Sequence, residues 1–222
     1  MMKNMMRNKQ GFTLVELAIV LVIIGLLLAT FLTPLTAQIA LRNNSETKTE
    51  LSEVREALVG YALSHSALDG KPFLPCPDTD GNGTENRVGA ICANLVGQLP
   101  FSDLGLIGND SWNNPFIYRV TQTYANSAVG FGLATAGDIS VLNAAAGGNV
   151  IAVNVPAIVV SLGENGNVAP VIGADQLENT DGDLIYVNKD FAANAVNPYD
   201  DLVTWVSANI LMNRLVTAGR LP

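Results

Sequence analysis

The first strong pattern along the chain is a run of apolar residues from Phe12 to Leu41 whose only ionisable side chain is Glu16. As a helix, residues 12–33 would extend about 33 Å at 1.5 Å per residue, close to the roughly 30 Å of a bilayer's hydrocarbon core. Pro34 follows at the point where such a helix would leave lipid, and it predicts a kink or local unwinding there. Beyond it, Leu51, Val54, Leu58 and Tyr61 or Ala62 recur at helical spacing between Glu50, Glu53, Arg55 and Glu56. This amphipathic pattern predicts that the long helix continues to about His65 and lays its apolar stripe on a sheet.

After Pro72 the texture changes to short apolar runs broken by Gly, Asn, Asp and Pro. Strands are predicted at residues 117–123, 149–155, 157–162 and 183–187, with Pro156 making the middle two either separate strands or one strand with a bulge. From Asp200 to Leu215 the spacing of Leu202, Trp205, Val206, Ile210 and Leu211 predicts a closing helix.

Charge sharpens this division. Lys3, Arg7 and Lys9 lie in the first eleven residues, and the formal net charge of the 222-residue chain is −8. Without that leader nine basic residues face 20 acidic ones, a net of about −11. No basic stripe for a phosphate backbone remains, so nucleic acid is not an expected partner. The basic leader is expected to stay cytoplasmic, placing the acidic remainder outside. A secretory signal peptide would have a shorter apolar stretch ending in a small-residue cleavage site. An ordinary single-pass anchor would leave Glu16 unexplained, because a carboxylate in lipid costs several kcal/mol unless paired.

Lys9-Gln10-Gly11-Phe12-Thr13-Leu14-Val15-Glu16 resembles the processing and assembly motif of type IV pilins and pseudopilins. The resemblance implies cleavage by a prepilin peptidase after Gly11, N-methylation of Phe12 and an assembly role for Glu16. Pairing of Glu16 with a neighbouring subunit's terminal amine would replace two poorly solvated charges with one ion pair. Two further stretches extend the resemblance toward the G-type pseudopilins of type II secretion. They are Asp110-Ser111-Trp112-Asn113-Asn114-Pro115-Phe116-Ile117-Tyr118-Arg119 and Ser161-Leu162-Gly163-Glu164-Asn165-Gly166. A longer head and the two cysteines depart from that pattern and favour a minor or specialised subunit.

The implied architecture is α+β and pilin-like: a long N-terminal helix, its first half transmembrane, packed on a C-terminal antiparallel sheet with a closing helix. The expected divisions are a cleaved leader at 1–11, a transmembrane and assembly helix at 12–34, the extramembrane half of the helix at 35–66 and a periplasmic head at 67–222. The implied partners are the prepilin peptidase, other pilins or pseudopilins, the inner-membrane assembly platform and, before assembly, membrane lipid. The alternative is a calcium-stabilised adhesive or cargo-binding module at a filament tip.

Cys76 and Cys92, an even pair in a loop-rich stretch, suit a disulfide in an oxidising compartment. Between them, Asp78-Thr79-Asp80-Gly81-Asn82-Gly83-Thr84 matches the first half of an EF-hand loop. Asp78, Asp80 and Asn82 could supply oxygens to calcium, or could simply form a polar turn. Gly89 stands where the loop's bidentate Glu would be. A second acidic loop, Glu178 to Asp183, lies where G-type pseudopilins bind structural calcium, and the resemblance supports Asp181 and Asp183 as ligands over a bare hairpin turn. The sequence has no phosphate loop, zinc-ligand spacing or nucleophile elbow, and an enzyme is not expected. His65 reads as a solvent-facing helix-end residue, and Trp112 and Trp205 read as core.

Overall fold

The computed structural model describes residues 12–166, 173–193 and 196–222; the side chains of residues 29–37 are not among those described. The leader, with Gly11, therefore lies outside the described residues. The chain divides into two units after Arg42. Helix α1 is Leu14–Ser64, and its residues from Asn43 onward belong to the second unit. The helical assignment continues through Pro34, whose side chain is not described. Among the described residues no helix is long and apolar enough to cross a membrane.

The second unit is an α+β fold. It contains β1 (Arg87–Val88), β2 (Ile91–Cys92), β3 (Val96–Gln98), α2 (Phe101–Leu104), β4 (Ile117–Val120), β5 (Ile139–Leu142), β6 (Val150–Val155) and β7 (Ala157–Ser161). These are followed by α3 (Ala174–Glu178), β8 (Ile185–Val187), β9 (Leu202–Val206) and α4 (Ala208–Thr217). The central sheet has the order β3-β4-β7-β9 and is antiparallel throughout. A second sheet has the order β6-β5-β8, in which the β5–β8 pair is parallel, and β1 and β2 form a small hairpin.

Strand alternation decides what the central sheet can bury on each face. From β4 and β7, Tyr118, Val120, Ala157 and Val159 join Leu51, Val54, Leu58 and Ala62 of α1 and Leu211 and Leu215 of α4 in one core. The intervening Ile158 and Val160 turn to the opposite face and pack with Ile139, Val141, Val155 and Tyr186 of the smaller sheet. Every residue of β7 is consequently buried, and its sequence is apolar from Ala157 to Val160.

Two sequence expectations need correction. Residues 202–206 are strand β9, with helix α4 starting only at Ala208. Leu202, Trp205 and Val206 satisfy a helical period, but the intervening Val203 and Thr204 are β-branched and the segment pairs residue for residue with β7. Strand β4 also ends at Val120, three residues early. Thr121 donates its N–H to Pro156 O at 2.8 Å, and a 3-10 turn follows over Gln122–Tyr124.

Candidate functional site

In the first unit, Thr13 and Glu16 form a reciprocal capping box at the start of α1. The Thr13 N–H donates to Glu16 Oε2 at 2.9 Å, and the Glu16 N–H donates to Thr13 Oγ1 at 3.3 Å. Two N–H groups that the helix cannot satisfy internally are thereby paired. The same carboxylate accepts the Thr13 hydroxyl at 3.0 Å. Phe12 and the large apolar residues from Leu14 to Leu28 are exposed within this single chain. Such a surface needs lipid or protein around it.

In the head, Cys76 and Cys92 form the expected disulfide, with Cα atoms 5.2 Å apart and both residues buried. Arg87, which no sequence motif singled out, holds the enclosed loop to the core. Its guanidinium donates to Ala125 O at 2.6 Å, Leu74 O at 3.3 Å and Glu85 Oε1 at 2.8 Å, and it lies 4.9 Å from the centre of the Phe73 ring.

The loop at 78–84 is organised by its own backbone. Asp78 is fully buried, and its carboxylate accepts N–H groups from Asp80, Gly81 and Gly83 at 3.0, 2.8 and 2.6 Å. Those bonds hold its carboxyl below the ordinary value against the opposing effect of burial. Asp80 accepts from Asn82, and Asn82 accepts from Thr84. Gly83 has φ +84°, and a Cβ there would come within 2.6 Å of the Phe101 ring. The three oxygen-bearing residues form an Asx-rich turn.

At Glu178, Asp181 and Asp183 the geometry differs. One carboxylate oxygen from each comes within 4.8 Å of the others. Burial, and then Asp183 and Asp181, raise the carboxyl of Glu178. Arg119, a buried residue of β4, supports the loop by donating to Gly182 O at 2.7 Å. Asp181 and Asp183 are exposed, with Asp181 accepting the Asp183 N–H and Asp183 the Ile185 N–H. Three converging hard oxygens suit calcium, which takes six to eight oxygen ligands at about 2.3–2.6 Å, with waters and carbonyls completing the shell.

The two further stretches of the resemblance meet in space. Asp110 Oδ1 accepts N–H groups from Trp112 at 3.0 Å and Asn114 at 2.8 Å, and Asp110 Oδ2 accepts the Ser161 hydroxyl at 2.5 Å. Asn114 donates to Gly163 O at 2.6 Å, and the Gly163 N–H returns to Ser161 Oγ at 3.2 Å. Only glycine suits position 163, where φ is +63° and a Cβ would lie 2.5 Å from Asp200 O. Thr47 of α1 accepts the Ser111 N–H at 3.2 Å, tying the knot to the helix. No acid, base or nucleophile is assembled by these contacts. They fix backbone.

His65 is exposed and stacks on Tyr61 with ring centres 3.8 Å apart, while Arg220 caps the end of the helix through His65 O at 2.8 Å. Trp112 and Trp205 are half-buried, and Trp205 packs against the smaller core.

The prokaryotic N-terminal methylation motif matches residues 6–32. That match supports a type IV pilin-like protein and points to a structural subunit. No curated protein and no solved structure gives a significant match to the chain.

Proposed function

We propose that this chain is a pseudopilin or minor pilin, cut by a prepilin peptidase between Gly11 and Phe12. It waits in the inner membrane with its head in the periplasm, then assembles through its apolar N-terminal segment into a type II secretion pseudopilus or a type IV pilus. The observation that carries the reading is the methylation-motif match over residues 6–32, joined to a carboxylate at Glu16 in an otherwise uncharged apolar run. In lipid that carboxylate needs a partner, and a neighbouring subunit's terminal amine supplies one. Residues 12–33 of adjacent subunits then pack as a helical bundle, exchanging lipid contacts for protein contacts. Of the two acidic loops, the one containing Asp181 and Asp183 takes calcium as a structural ion.

The test is intact mass and N-terminal sequencing of the chain coexpressed with a prepilin peptidase, beside Gly11→Ala. A product starting at N-methylated Phe12 in the wild type, and absent from the variant, supports the reading. An uncut wild-type chain, or a cut beyond the apolar run, overturns it.

A second reading, an adhesive or cargo-binding subunit at a filament tip, is favoured by an exposed apolar patch. Leu68, Val88, Ile91 and Val129 are 90, 66, 47 and 58% exposed. They lie on three segments joined by hydrogen bonds from Leu68 N to Ser127 O and from Ser127 N to Ala90 O. Exposed apolar clusters of this kind mark contact sites. Under this reading Leu68→Asp with Val129→Asp abolishes adhesion or cargo capture and leaves cleavage at Gly11 intact; unchanged capture removes it.

A further inference from the structure

Strand alternation puts Arg119 of β4 on the same face as Ile117, the face that packs against the smaller sheet. Arg119 is only 7% exposed. A charge taken out of water is costly unless a counter-charge or a full set of hydrogen bonds meets it. Arg87 and Lys189 follow that rule, the first paired with Glu85 and the second with Asp175. Arg119 does not. Its Nη1 donates to the neutral carbonyl of Gly182, its Nε is buried without an acceptor, and it forms no ion pair among the described residues. The residues outside the description include no Asp or Glu, so they hold no carboxylate for it either.

The residues around this guanidinium wall a cavity. Val96, directly opposite Arg119 in the β3–β4 pair, lines a space of about 500 Å³ together with Ile117, Gly182 and Tyr186. That volume lies in the range of small-molecule sites. The one carboxylate in the lining, Asp78, already accepts three backbone N–H groups. Charge and shape select the ligand. One guanidinium balances one negative charge, and Asp181 and Asp183, near enough to act on the Tyr186 hydroxyl, would repel a second. A carboxylate carries a single charge at neutral pH and matches the planar fork of a guanidinium. Val96 and Ile117 offer its carbon chain an apolar wall, which inorganic phosphate would leave unused.

We propose that this cavity binds a small monocarboxylate, whose charge pairs with Arg119 and whose carbon chain lies against Val96 and Ile117. The site needs neither filament assembly nor bound calcium, so it stands or falls apart from both.

The experiment is isothermal titration calorimetry of the full chain in detergent micelles, in calcium-free buffer of constant ionic strength, with sodium butanoate as the probe. Wild type is compared with Arg119→Met, which keeps the length of the side chain and loses its charge. It is also compared with Val96→Asp, which sets a carboxylate of the chain's own opposite Arg119. Melting temperatures verify that both variants fold. The expected result is saturable binding by the wild type, weakened on the order of tenfold or more in each variant, because one removes the cation and the other neutralises it. If Arg119→Met does not fold, Val96→Asp decides alone. A wild type without saturable binding overturns the proposal, as does an unchanged affinity in folded Val96→Asp. Inorganic phosphate bound as tightly as butanoate overturns the choice of a carboxylate.

Discussion

The Ser161 hydroxyl donates to the Asp110 carboxylate at 2.5 Å, joining two buried side chains 51 residues apart. The bond sets the end of β7 against the turn before β4, and that turn is itself bonded to Thr47 of α1. A buried carboxylate is tolerated here because its oxygens accept the Ser161 hydroxyl and two backbone N–H groups.

Asp110→Ala removes all those acceptors at once and leaves two buried donors and one part-buried donor without their partner. It should cost on the order of 3 kcal/mol in chemical denaturation, whereas Ser161→Ala, which leaves the carboxylate its two N–H groups but also removes the acceptor of the Gly163 N–H, should cost about 1–2 kcal/mol. Equal losses would show that the hydroxyl bond, and not the Asp110 turn, holds the two segments together.

What the sequence made legible was mostly local. The α1 stripe of Leu51, Val54 and Leu58 was readable because one helical period meets one sheet face. Pro156 marked the division between β6 and β7 because it cannot donate to a ladder. The Cys76–Cys92 bridge followed from an even cysteine count. By contrast, β9 was read as helix because burial against β7, not local period, decides residues 202–206. The Asp110–Ser161 bond and the Arg87 clamp depend on segments distant in sequence, and no spacing announces them. The Thr13–Glu16 box is spelled Thr-x-x-Glu in the sequence, but the same carboxylate lies in the assembly motif, so its spacing alone does not separate the two roles.

Asp201 gives the head a pH dependence of defined sign. Burial pushes its carboxyl up to about 7, opposed by donation from Asn179, with like charge on the adjacent Asp200 adding to the rise. The folded chain therefore binds this proton more tightly than the unfolded one. Its contribution is fully present below the unfolded value near 3.8 and is lost as pH rises through about 7. Asp200, raised by burial, acts in the same direction, while Asp78 and Asp175, both lowered, act oppositely and lose their contribution as pH falls into the acid range. Asp201→Asn should stabilise the head at pH 8 on the order of 3 kcal/mol and flatten the melting temperature between pH 5 and about 8. An unaltered pH profile would show that Asp201 is not the group responsible.

Calcium should raise the melting temperature through the second acidic loop. An ion bound only by the folded state adds about 2.7 kcal/mol at a hundred times its Kd, and here it would also relieve the repulsion that raises Glu178. Asp181→Asn with Asp183→Asn should abolish the shift, while Asp80→Asn should preserve it, because the Asp80 oxygens already accept from Asn82. A calcium shift that survives the double substitution would place the ion elsewhere.

Glu16 serves two ends that one substitution can separate. In the capping box its carboxylate accepts the Thr13 N–H at 2.9 Å, and a glutamine amide oxygen performs that service as well. The partner proposed for it in a filament is a positively charged terminal amine, which glutamine cannot neutralise. Glu16→Gln should therefore leave the start of α1 intact, with helical content unchanged by circular dichroism and cleavage at Gly11 proceeding, yet abolish incorporation into filaments. Thr13→Val does the reverse: it removes the hydroxyl that accepts the Glu16 N–H at 3.3 Å, weakening the cap by about 1 kcal/mol while leaving the charge in place. Normal incorporation of Glu16→Gln would mean that the carboxylate is retained for the helix rather than for a neighbour, and the electrostatic account of assembly would fall.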